Sequence, residues 1–159
     1  MLPLVRLSAL ALLSSALCLA SPAAAVPVTF DTNVLASCVL SLGTGGALGT
    51  SSDGGTKIGS EETGGAAAGI TVISTGGRPT ITVGAPSLSQ KPGAYAGSPT
   101  VSVRYTSTGG ANQPYTSGST SYTSTNLLGD TLTINARAVD SDGFAAGSYR
   151  IQTQVTCQQ

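Results

Sequence analysis

The sequence has no histidine and no tryptophan, and its 159 residues include only two phenylalanines, five tyrosines and three cysteines. Without histidine it lacks the side chain that most often serves as a general base at neutral pH and most often ligates metals. Without tryptophan it lacks the largest aromatic platform for a flat ligand face. Charge is scarce as well. Seven Lys and Arg balance seven Asp and Glu, so no net field steers a nucleic acid toward the surface. Serine is plentiful, yet a Ser-His-Asp triad is impossible and no Ser-x-x-Lys supplies a lysine base. No glycine pair precedes Lys-Ser or Lys-Thr, so these pairs are turn devices and not a phosphate loop. The expectation is a protein without enzymatic activity, cofactor or metal.

Long apolar runs are missing too, apart from residues 7–20, which follow Arg6 and lead into Ser21, Pro22, Ala23, Ala24 and Ala25. That order of charge, apolar run and small-x-small ending predicts a secretory signal over residues 1–25, cut after Ala25, with Cys18, Leu19 and Ala20 as an alternative site. The run falls short of the roughly 18 residues that span a bilayer, so no integral membrane segment is expected. Residues 26–159 are read as one domain, exported to the periplasm and then to the cell surface or beyond. Cys18 lies in the signal, where Leu17 spoils a lipoprotein box. Cys38 and Cys157 remain, and an oxidising compartment predicts a disulfide between them; free thiols or a metal pair are the alternative, without further soft ligands to complete a site.

Glycine, serine, threonine and short β-branched runs make up most of the rest. Val26, Val28, Phe30 and Val34 alternate with polar residues and Pro27, the pattern of an edge or terminal strand. Residues 43–69 read as loop, with a short strand near Lys57 and Ile58. Residues 70–73 and 80–83 read as strands joined like a hairpin by Gly76, Gly77, Arg78 and Pro79. Residues 101–105 alternate again. Leu132, Ile134, Ala136 and Ala138 share one face of a further strand, whose expected partner carries Tyr149, Ile151, Thr153, Val155 and Cys157 on one face. One buried and one wet face per strand predicts an all-β, immunoglobulin-like antiparallel β-sandwich of about seven strands.

Three acidic or aromatic groups invite a chemical reading. Asp140, Ser141, Asp142 and Gly143 open like a calcium loop, but the further ligands of an EF-hand are absent and the residues suit a turn. Glu61 and Glu62 with Asp53 read as solvated loop charges and not as a catalytic pair. Tyr95, Tyr105, Tyr115, Tyr122 and Tyr149 read as packing residues, with a sugar platform as the alternative.

Three segments together resemble the spore coat protein U-like subunits of archaic chaperone-usher pili. They are Val28, Thr29, Phe30 through Ala36, Ser37, Cys38, Val39; Ala66 through Ser74, led by Gly69; and Ala146, Gly147, Ser148, Tyr149 followed by Ile151, Thr153 and Val155. The resemblance implies a pilus, fimbria or coat subunit active in cell adhesion, with an incomplete sandwich. A periplasmic chaperone would hold it, an outer-membrane usher would assemble it, and the N-terminal segment of a neighbouring subunit would complete it. It assigns residues 26–34 as donor strand, with Val26, Val28 and Phe30 as inserted side chains, and Tyr149, Ile151 and Val155 to the strand bordering the acceptor groove. The chain departs from that family at Ser74, where relatives usually carry the partner of the first cysteine. A self-complete monomeric sandwich that binds a glycan or protein is the alternative function.

Overall fold

Short Val, Ile, Leu and Thr runs broken by glycine favour extended backbone over helix. In a computed structural model, which describes residues 29–52 and 55–159, they form strands, and no helix occurs among the described residues. The chain divides into two units, Met1–Thr32 and Asn33–Gln159. Of the first, residues 29–32 are described: they are irregular, and Phe30 is 92% exposed. The signal predicted over residues 1–25 and the donor positions Val26 and Val28 lie outside the described residues.

The second unit begins with β1 (Ser37–Thr44), β2 (Gly49–Thr50), β3 (Lys57–Gly59) and β4 (Ala68–Thr75). It continues through β5 (Thr80–Val83), β6 (Ser87–Gln90), β7 (Thr100–Ser107) and β8 (Asn112–Thr116). The last four are β9 (Thr120–Thr123), β10 (Gly129–Val139), β11 (Arg150–Gln152) and β12 (Val155–Gln158). The principal sheet runs β1-β4-β10-β3-β2, with β7 also pairing β10 and β8 pairing β7. A smaller sheet runs β12-β5-β9, and β11 pairs β6 in a ribbon. Every ladder is antiparallel.

Both sheets contribute to one core. Val72, Val103, Tyr105, Leu132 and Ile134 come from the principal sheet, and Ile81 and Val83 from the smaller one. Each is at most 5% exposed, so each contributes about 1.5–3 kcal/mol of apolar burial. The fold is thus an all-β antiparallel sandwich, as the alternation predicts. Its count of strands exceeds seven because several are short, among them the two- and three-residue β2 and β3 inside the glycine-rich stretch.

Two expected pairings are corrected. The strands around 70–73 and 80–83 are not hairpin partners: β4 lies between β1 and β10, whereas β5 lies between β12 and β9. Gly76, at φ 87°, turns the chain in a conformation that favours glycine, and buried Pro79 seats the start of β5 through its carbonyl, which accepts from Ser124 N. Likewise β10 does not pair with β11 or β12, because residues 140–149 carry the chain out of the principal sheet to β11 of the ribbon, from which it continues to β12 of the smaller sheet. Period-2 alternation specifies which face is buried and is silent on which strand lies alongside. The strand read through Phe30 to Val34 is not formed either: residues 29–36 lie in no strand, and β1 starts at Ser37. An extended segment needs a ladder partner to satisfy its backbone groups.

Candidate functional site

Among the strands with one side unpaired are β1 at an end of the principal sheet, β12 at an end of the smaller sheet, and β11 of the ribbon. Along β11 and β12 the alternation is as read from sequence, with Ile151, Val155 and Cys157 turned inward and Arg150, Gln152 and Thr156 exposed. Yet the inward residues are only half-buried, and Leu42 of β1 is 68% exposed. The cause is an open apolar groove of about 360 Å³. Its floor comes from Ala66, Ala68, Ile70, Val103, Ile134 and Ala136; Leu42, Gly46, Ala47 and Leu48 form one wall. The opposite wall runs from Tyr149 through Ile151 to Val155, so the three positions assigned to the acceptor strand all border this groove. Tyr149 is held there by its hydroxyl, which donates to Ala145 O at 2.8 Å, and by edge-on contacts with Tyr95 and Phe144 at 5.4 and 5.2 Å. Sequence reading did not find the floor. Its signal is the row of Gly and Ala at strand positions, which leaves the volume that Leu or Val would fill.

The groove has a closed end. Cys38 and Cys157 form the predicted disulfide, with Cα atoms 5.9 Å apart, joining the unpaired edges of β1 and β12. Beside it, Ser74 stands opposite Cys38 in the β1-β4 ladder; it is buried and donates to Leu127 O at 2.8 Å. Asp130, at the start of β10, is 3% exposed and accepts from Gly109 N at 2.7 Å, Thr131 N at 2.8 Å, Thr108 Oγ1 at 2.9 Å and the Tyr122 hydroxyl at 2.7 Å. Burial alone would raise this carboxyl; the donors of Tyr122, Thr108 and Gly109 outweigh it and hold the group below its ordinary range. Burial first, with the Asp130 charge behind it, pushes the Tyr122 hydroxyl up. Because Tyr122 belongs to β9, this is a polar tie between the two sheets. A sequence signal existed for it: Asp130 is in phase with buried Leu132 and Ile134.

The acidic candidates are otherwise engaged. Asp140 accepts from the Tyr95 hydroxyl and from Asp142 N, in that order the causes of its lowered carboxyl, and Gly143 N bonds back to Asp140 O. This is turn geometry. Glu62 pairs with Lys57 at 2.9 Å, while Glu61 pairs with Arg104 and accepts from the Tyr115 hydroxyl. Arg137 lies 3.8 Å over the Tyr115 ring. Burial, and then the bond to Glu61, push the Tyr115 hydroxyl up to about 12. Asp53 lies outside the described residues. No group of three or more His, Cys, Asp or Glu with metal-binding placement occurs among the described residues, and no helix there is long and apolar enough to cross a membrane.

Fold and site together define an antiparallel β-sandwich with an apolar groove open along one side. Comparison with protein-family models, curated proteins and solved structures gives no match.

Proposed function

We propose that this chain is a non-enzymatic structural or adhesive subunit of a bacterial cell-surface pilus, fimbria or coat, assembled by strand complementation. The observation that carries the reading is the apolar groove between unpaired strand edges. A long edge strand is a hazard that proteins normally blunt with charge or proline. Here β1 has the sequence SCVLSLGT, with neither, and beside it the inward faces of Leu42, Ile151 and Val155 remain open. An added strand would satisfy the edge and drop alternate side chains onto the alanine floor.

The resemblance to spore coat protein U-like pilus subunits supports the same reading. Ser74, where relatives usually carry the partner of the first cysteine, directly faces Cys38, so the bridge to Cys157 is a rearrangement within one corner of the sandwich. On this reading the chain is exported, held by a periplasmic chaperone, and passed through an outer-membrane usher to neighbouring subunits. Val26, Val28 and Phe30 act as donor side chains.

The test is size-exclusion chromatography and thermal melting of purified protein with and without a peptide copying residues 26–34. Binding with a rise in Tm supports strand complementation. A monomer that ignores the peptide at millimolar concentration and never self-assembles would overturn it.

A further inference from the structure

We infer that the Cys38–Cys157 bridge is an end-stop that limits the groove to a segment of about seven residues, so that of the donor segment already proposed only residues 26–32 of a second copy enter it. The inference rests on the strand-complementation reading and specifies its partner. A strand paired on both sides needs its flanking backbones about 9.5 Å apart, twice the spacing of neighbouring strands. At the bridge the β1 and β12 backbones are held 5.9 Å apart. No strand passes there.

Beyond it, the groove is lined on one side by Leu42, Gly46, Ala47 and Leu48, within residues 42–48, and on the other by residues 149–153 and Val155, within residues 149–155. From first to last lining residue each side spans about seven positions, or about 23 Å of extended chain at about 3.3 Å per residue. The stretch of β1 at residues 39–41, between bridge and groove, contributes nothing to the lining. Residues 26–32, VPVTFDT, have this length, and Val26, Val28 and Phe30 alternate along them. Phe30 is an apolar side chain left 92% exposed, and the methyl-sized floor at Ala66, Ala68 and Ala136 leaves room for a ring.

The experiment uses the full chain carrying Phe30→Asp, so that its own segment does not compete, with the bridge intact. Three synthetic peptides are titrated against it: VPVTFDT, and VPVTFDT lengthened by Thr-Val-Thr-Val at either its N- or its C-terminus. The heptapeptide is expected to bind, and neither extension to improve affinity by more than about threefold, where one further paired and buried residue pair would give about tenfold. Hydrogen exchange in the complex is expected to slow at residues 42–48 and 149–155 and not at 39–41. With Cys38→Ser and Cys157→Ser added, one extended peptide is expected to gain about tenfold and protection to spread into 39–41.

Tenfold tighter binding of an extended peptide to the bridged protein, or protection reaching 39–41 in it, overturns the end-stop while leaving strand complementation standing. Failure of all three peptides to bind overturns both. In the chain without Phe30→Asp, protected residues 26–32 in a strict monomer would mean that the segment fills its own groove, which overturns the second-copy assignment. Should the double serine variant not fold, the bridged protein decides alone.

Discussion

Asp130→Ala removes a carboxylate that satisfies four donors at the closed end of the sandwich. Thr131 N also bonds Thr108 Oγ1 at 3.0 Å, so these two groups retain each other. Gly109 N is left orphaned where Asp130 is 3% exposed and Gly109 is buried, while the half-buried Tyr122 hydroxyl loses its acceptor and keeps Ser107. An orphaned buried amide at about 1–3 kcal/mol, with about 1 kcal/mol for the hydroxyl, gives a loss of about 2–4 kcal/mol. Against the roughly 5–15 kcal/mol that stabilises a domain, that is a sizeable share. At about 3–5 °C per kcal/mol for a domain of this size, Tm should fall by about 6–20 °C. The sign of the pH effect follows from the lowered carboxyl. Its contribution is complete above the ordinary Asp value of about 3.9 and is lost as pH falls through the lower folded value. Asp130→Asn, which keeps the shape, should therefore weaken the protein at neutral pH and flatten its loss of stability on acidification; what remains of that loss includes Asp140, also lowered, by the Tyr95 hydroxyl and then the Asp142 amide. Calorimetric melts from neutral pH to about pH 2 read both effects. An Asp130→Ala protein melting within about 3 °C of the parent at neutral pH would refute the reasoning, since orphaning a buried amide cannot be that cheap.

Three further outcomes are expected. Phe30→Asp should block self-assembly while leaving the monomer's Tm unchanged, because a charge cannot enter an apolar groove unpaired; light scattering and calorimetry measure the two, and a monomer that unfolds would contradict it. Ala68→Leu should abolish uptake of a residue 26–34 peptide with Tm equal or higher, since the added side chain fills the open floor instead of overpacking a closed core; undiminished peptide binding by titration calorimetry would count against the groove as the acceptor. Reduction of Cys38–Cys157, which closes a 119-residue separation, should cost up to about 5 kcal/mol in the chain-entropy model; denaturant unfolding with and without reductant checks it, and coincident curves would mean that the bridge leaves the unfolded chain unconstrained.

Much of the sandwich was legible because alternation is a local property. Leu132, Ile134 and Ala138 face the core as their phase requires, and so do Ile81 and Val83. The disulfide was legible from the count of cysteines together with the expectation of export. Strand partners were not, because β4 and β5, adjacent in sequence, separate into different sheets at a turn whose residues suit a hairpin equally well. The acceptor-strand residues were named through a resemblance, and phase alone places them on an inward face without saying that the face is open. That depends on Ala66, Ala68 and Ala136, contributed from two places far apart in the chain, and their convergence is set by the register of β4 against β10, which puts Ala68 opposite Ile134.

The two ends of the sandwich are built from opposite materials, and this bears on how an unfilled groove persists. At one end the bridge, the Asp130 tie to Tyr122 and the packed Val72, Ile81 and Leu132 hold the sheets together without help. At the other, alanine floors and half-buried walls leave apolar surface exposed. Were the closed end equally loose, burial of the groove's apolar surface would favour a closer approach of the sheets. Fixing one end with a covalent bond and a directional polar network makes the separation at the other a property of the fold. On the proposed reading, a complementing strand would meet a preformed site and spend its binding energy on burial instead of on prising the sheets apart. The same division explains why Asp130 and Phe30 should fail differently: loss of the first lets the frame go, and loss of the second leaves the frame standing with nothing to fill it.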